Sequence, residues 1–143
     1  ISQKQYAKDI IFKFFPDNIV PANNPTDANV ILSTCMNAMT ESDIVFMSDL
    51  PYREAIGSLL WLSMGSRPDI TYAVSQVAKF NSEPGPLHWK AVKRIFRYLL
   101  QSLDYGIRFR RNADNVIVTD SINIGTLAGY VDADHARDTD CRR

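Results

Sequence analysis

The stretch Leu87-His88-Trp89-Lys90-Ala91-Val92-Lys93-Arg94-Ile95-Phe96-Arg97-Tyr98-Leu99-Leu100-Gln101 decides how the chain is read. Ala91, Val92, Ile95, Phe96 and Leu99 recur at helical spacing and predict one buried face. Lys90, Lys93, Arg94 and Arg97 recur at the same spacing on the opposite side. Asp104-Tyr105-Gly106 then predicts a turn. Beyond it the period falls to two. Ile107 and Phe109 alternate with Arg108 and Arg110, which is the pattern of a strand. Val116 to Thr119 and Leu127 to Asp134 read as two further short strands.

Working toward the N-terminus, Pro84-Gly85-Pro86 breaks the chain ahead of this helix. Ile70, Ala73, Val74, Val77 and Ala78 predict an amphipathic helix, with Ser66 as its cap and Pro68 and Asp69 in its first turn. Tyr52, Ile56, Leu59 and Leu60 line another helix that starts near Pro51. Trp61 and Leu62 make that helix apolar almost all round and so place it centrally in the core. Trp61, Tyr72, Phe80, Phe96 and Tyr98 read as core aromatics. From Asp17 to Leu50 apolar residues show no period, and Asn, Pro, Thr, Ser and Asp are frequent. A long loop holding a short strand or turn is expected there. Tyr6, Ile10 and Phe14, spaced by four, predict a first helix from about Ser2 to Phe15, stopped by Pro16. The expected fold class is α+β: a helical bundle over residues 1–104, then a small antiparallel β element over residues 105–143.

With 45% hydrophobic residues in 143, the chain can bury a core. Its 16 basic and 16 acidic residues cancel, which excludes a uniformly basic nucleic-acid binder but not a segregated patch. From Pro86 to Arg111 seven basic residues face one acidic residue. Cys35 and Cys141 fit neither a zinc spacing nor a disulfide framework, and read as free thiols in a reducing compartment. No apolar run reaches the roughly 18–20 residues of a membrane span, so no membrane partner is expected. The first residues lack the apolar stretch of a signal peptide, and the chain starts without Met. It stops at Arg143, directly after an expected strand, so both ends read as cut.

Several blocks in register resemble copia-type (Ty1/copia, pseudovirus) retrotransposon Pol polyproteins. They are Pro51-Tyr52-Arg53-Glu54-Ala55-Ile56-Gly57-Ser58-Leu59-Leu60-Trp61-Leu62, Ser66-Arg67-Pro68-Asp69-Ile70-Thr71-Tyr72-Ala73-Val74, His88 through Leu99, Asp104-Tyr105-Gly106, and Gly129-Tyr130-Val131-Asp132-Ala133-Asp134. The resemblance implies the C-terminal part of a reverse transcriptase running into the start of ribonuclease H. Helices between Ser2 and Phe80 would be thumb-like, the helix from Leu87 to Gln101 would be a link, and the strand around Tyr130 would begin an RNase H-like sheet. The chain departs from the family pattern at Leu100-Gln101, His135 and Arg137. The family's polymerase signature would lie upstream of Ile1, so no polymerase activity is expected of this stretch.

Asp132 matches the first carboxylate of the family's ribonuclease H site. It is expected to act as a catalytic residue and metal ligand only in an intact parent. Two-metal hydrolysis needs several carboxylates around cations roughly 3.5–4 Å apart, and magnesium favours such oxygen ligands. No cofactor is expected in this stretch alone, and Mg2+ is expected in the parent enzyme. Lys90, Lys93, Arg94 and Arg97, extended by Arg108, Arg110 and Arg111, are the expected nucleic-acid contacts. Phosphate contacts of this kind hold a hybrid without reading its sequence; a solvated helix face is the plainer account of the same charges. His88 reads as a capping and packing residue; Arg67 reads as the partner of a carboxylate or of a phosphate, with a structural role preferred because its block sits at a helix start. The expected partners are an RNA–DNA hybrid or template–primer and the rest of the Pol polyprotein. The expected compartment is the cytoplasm, in the element's particle, or the nucleus, without secretion. A domesticated or effector-like remnant acting as a binding module, or a relic without function, are the alternatives.

Overall fold

The computed structural model describes residues 1–108 apart from Asn18 and Ala28. Five α-helices run in order: α1 (Lys4–Phe14), α2 (Glu41–Ser48), α3 (Tyr52–Gly65), α4 (Thr71–Ala78) and α5 (Pro86–Gln101), with 3-10 turns at Thr34–Met36 and Pro68–Ile70. Residues Ile1–Ile107 form one unit around a single core. Helix α5 lies at its centre. Val92, Ile95, Phe96 and Leu99 are fully buried on it, and Ile56, Leu59 and Leu62 of α3 and Val74 and Val77 of α4 complete the interior.

Aromatic rings join α1 to this interior. Phe14 and Phe15 stand 5.5 and 5.2 Å from Phe96, and Phe15 stands 5.5 Å from Trp89. Helices α3 and α4 run back to back. The Tyr52 hydroxyl donates to the Val77 carbonyl at 2.8 Å, and Arg53 Nε donates to the Asn81 carbonyl at 2.9 Å. The start of α5 is tied to the segment before α2. Gly85 sits so close to Met36 that a Cβ there would meet its carbonyl oxygen at 1.9 Å, so only glycine fits. His88, fully buried, accepts the Gly85 N–H on Nδ1 at 2.9 Å. Its Nε2–H therefore points to the Ser33 carbonyl, 3.1 Å away, while the ring stacks on Phe80 at 4.0 Å. Capping and packing, as expected for His88, is what this geometry provides.

Four expectations need correction. The α+β fold class is not met: among the described residues the regular structure is wholly helical, with no strand or sheet. Ile107, where alternation begins, exchanges two backbone hydrogen bonds with Ile1 and joins no ladder. A ladder needs successive residues paired across two strands, and among the described residues Ile107 has no such neighbour. Phe109 and Arg110 of the first expected strand, and the strands expected at residues 116–119 and 127–134, lie outside the described residues. Second, residues 41–48 are a helix rather than loop. Thr40 caps α2 by accepting the Asp43 N–H at 3.1 Å, but only Met47 is buried, so no apolar period betrays the helix. Third, α3 is buried on one face only. Trp61 is 64% exposed and Tyr72 on α4 is 58% exposed, so neither is core, whereas Phe80 and Phe96 are. Ser66, expected to cap the next helix, instead donates its hydroxyl to Gln3 Oε1 at 2.9 Å.

Neighbouring residues on α3 test this division. Leu62→Ala is expected to cost about 2–5 kcal/mol by opening a core cavity. Trp61→Ala, despite the larger side chain, is expected to cost less than about 1 kcal/mol. Urea unfolding followed by circular dichroism measures both, and a larger loss at Trp61 would contradict the placement of α3.

Candidate nucleic-acid interface

Because α5 turns Trp89, Val92, Phe96 and Leu99 inward, its period sends Lys90, Lys93, Arg94 and Arg97 outward. The structure divides these four cations. Lys90 and Lys93 are exposed. The Lys93 ammonium lies 5.6 Å from the centroid of the Phe15 ring, close enough for a cation–π contact. Arg94 and Arg97 are half-buried beneath residues 19–27, which cross this face of the helix. Arg94 Nε donates to the Asn24 carbonyl at 3.3 Å and its Nη1 to Asp27 Oδ2 at 3.2 Å. Arg97 Nε donates to the Val20 carbonyl at 2.5 Å. The Ala22 N–H donates back to the Arg97 carbonyl at 3.2 Å. Arg108 is exposed and lies past the unit that ends at Ile107. Arg110, Arg111 and Asp132 lie outside the described residues.

Val20, Asn24 and Asp27 were not foreseen as partners of the helix. Asp27 and Arg94 are 67 positions apart in the chain, and nothing local in residues 17–30 signals where that segment docks.

Arg67 is a third kind of cation. It is 2% exposed. Its Nε and Nη2 grip both Asp69 oxygens at 2.9 and 2.7 Å, in the two-pronged geometry suited to a carboxylate. Its Nη1 and Nη2 also donate to the Ser102 carbonyl and hydroxyl at 3.0 and 2.6 Å. The Tyr98 hydroxyl completes the cluster by donating to Asp69 Oδ2 at 2.9 Å. This clasp joins the turn before α4 to the end of α5; it engages four of the five guanidinium N–H groups, and burial keeps the side chain from a phosphate in solution. Burial alone would raise the Asp69 carboxyl. The hydrogen bonds from Arg67 and Tyr98, with the charge of Arg67, outweigh it and hold the group below its usual 3.8. Burial and the Asp69 hydrogen bond raise the Tyr98 hydroxyl correspondingly.

Among the described residues no group of three or more His, Cys, Asp or Glu side chains is placed to hold a metal ion. No helix among them is long and apolar enough to cross a membrane. What the described residues offer chemically is cationic: two open ammonium groups and two partly engaged guanidinium groups on one helix.

A helical unit with one cation-lined helix is the class this geometry defines, and comparison with known proteins carries the matter further. The chain is 35% identical over all its 143 residues to the retrovirus-related Pol polyprotein from transposon TNT 1-94 of Nicotiana tabacum, of which it covers 10%. It is 30% identical over 98% of its length to the retrovirus-related Pol polyprotein from transposon RE2 of Arabidopsis thaliana, of which it covers 8%. It is also 38% identical over 97 residues, 68% of the chain, to secreted RxLR effector protein 161 of Plasmopara viticola, 61% of which is covered. Similarity to retrovirus-related Pol polyproteins of transposons thus runs along the whole chain, and the chain spans about a tenth of their length. No family model matches the chain. No solved structure matches it.

The Arg67 clasp yields two expectations. Arg67→Ala removes four hydrogen bonds and is expected to lower stability by about 2–4 kcal/mol. Arg67→Lys should recover little of that, since a point charge cannot replace the two-pronged grip. The second concerns acid. A carboxyl held low in the folded state adds stability that is complete above its unfolded value and is lost as pH falls through the lower folded value. Urea midpoints are therefore expected to drop as pH falls below about 4, and Asp69→Asn should flatten that drop. Parallel acid profiles for the two proteins would show that the clasp does not couple to pH.

Proposed function

We propose that this chain is the stretch of a reverse-transcribing Pol polyprotein where the reverse transcriptase leads into ribonuclease H, and that its helical unit grips the template–primer hybrid along α5. The observation that carries this reading is similarity to transposon Pol polyproteins over the full length of the chain. The polarity of α5 supports it. Lys90 and Lys93 are one turn apart and exposed, with two guanidinium groups beside them. Contacts of this kind neutralise phosphates, release counterions and read no bases. They suit a polymerase that has to hold a hybrid of any sequence. Polymerisation and hybrid cleavage, with Mg2+ and with Asp132 among the acidic ligands, belong in this reading to the whole parent protein. So do the rest of the polyprotein as partner and the cytoplasmic particle or nucleus as compartment.

Similarity to a secreted effector protein over 97 residues favours a second reading, in which the same helical unit serves alone as a binding module. The two readings differ in what the α5 cations do.

Anisotropy titration of the chain with a labelled RNA–DNA hybrid at several salt concentrations separates them. Lys90→Glu with Lys93→Glu is expected to weaken binding and to reduce the slope of log K against log salt by about two, one for each lost phosphate contact. An unchanged slope would return these lysines to the role of solvated surface charges and favour the binding-module reading.

A further inference from the structure

Residues 19–27 contain no helix or strand, yet they are fastened along the face of α5 that carries its cations. The fastenings are polar and few: Arg97 to the Val20 carbonyl, Arg94 to the Asn24 carbonyl and the Asp27 carboxylate, and the Ala22 N–H to the Arg97 carbonyl. We propose that this segment is a built-in strap that competes with the phosphate backbone for α5. The Asp27 carboxylate stands where a phosphate oxygen would meet Arg94, and a bound RNA–DNA hybrid displaces it. The proposal rests on the nucleic-acid reading of α5 given above and adds its regulation.

Four observations support the exchange. A carboxylate and a phosphate present the same chemistry to a guanidinium, oxygens that accept charge-assisted N–H bonds. The Arg94–Asp27 pair is partly open to water, with side chains 32% and 40% exposed. Such pairs are weak and screened by salt, so a more highly charged anion can replace them. Asp27 is held ready by its own backbone, its Oδ1 accepting the Asn29 N–H at 3.1 Å. Apolar anchoring of the strap is slight, since Ile19 is half-buried against the core but Val20 is 71% exposed. With the strap in place, Lys90 and Lys93 are open to a polyanion. With it displaced, the open face would extend two turns along the helix, from Lys90 to Arg97.

The test uses the full chain and a labelled RNA–DNA hybrid at low and moderate salt. Asp27→Asn is compared with Asp49→Asn, which removes an equal charge from an exposed position outside the strap. Asp27→Asn is expected to bind about two- to fivefold more tightly than Asp49→Asn, the scale of a partly exposed ion pair. In the unmutated chain, amide hydrogen exchange at Ala22 is expected to quicken when the hybrid is added, because its bond to Arg97 is released. Equal affinities for the two variants, with Ala22 as protected in the complex as before, would overturn the strap while leaving hybrid binding intact. Failure of all three proteins to bind the hybrid at low salt would remove the nucleic-acid reading itself, and the strap with it.

Discussion

Helix α5 has to take Trp89, Val92, Ile95, Phe96 and Leu99 out of water, and the other elements are arranged by that need. Each such side chain is worth about 1.5–3 kcal/mol when fully buried. Helices of eight to sixteen residues take most of their stability from packing an apolar face, and the shorter ones are marginal alone. Helix α1 brings Phe14 and Phe15 to Phe96, α3 brings Tyr52 to Trp89, and α4 closes the interior with Val74 and Val77. Both ends of α5 are then fixed by buried polar groups. His88 receives the Gly85 N–H at the start, and Arg67 holds Ser102 just past the end.

The position of the outward cations follows from the same burial. A helix that turns positions 89, 92, 96 and 99 inward has to turn 90, 93, 94 and 97 away from the core. The fold therefore lines up four positive side chains at no further structural cost. Mutual repulsion in such a row is small at physiological salt. It is relieved further where the backbone carbonyls of Val20 and Asn24 and the carboxylate of Asp27 accept from the arginines.

Where apolar residues kept a helical period, the sequence was legible. Helices α1, α3, α4 and α5 all announce themselves by that period, and the structure places α5 at Pro86–Gln101 against a reading of Leu87 to Gln101. The period fails in two circumstances. In α2 the apolar residues Ile44, Val45 and Phe46 face water, so the local signs of a helix are the Thr40 cap and the acidic Glu41 and Asp43 of its first turn. In α3 Trp61 and Met64 are apolar but exposed, so composition overstated how central that helix is. The candidate interface was half legible. Helical spacing aligned its cations, but the strap across two of them depends on contacts spanning some 70 positions, which no local pattern encodes.

Arg67 and Arg94 show why identical side chains serve different ends here. Both meet an aspartate, and in sequence both are arginines beside helical blocks. Arg67 is buried, gripped twice by Asp69 and shared with Ser102, so removing it would leave polar groups stranded in the core. A group in that position holds the fold together and is closed to any ligand. Arg94 is partly open to water, bonds Asp27 through one nitrogen and borrows a backbone carbonyl through another. Its contacts lie at the surface, while Ile95 and Phe96 beside it are buried. Solvent access, more than charge, therefore divides the arginines of this unit into one closed in the core and others that reach the surface.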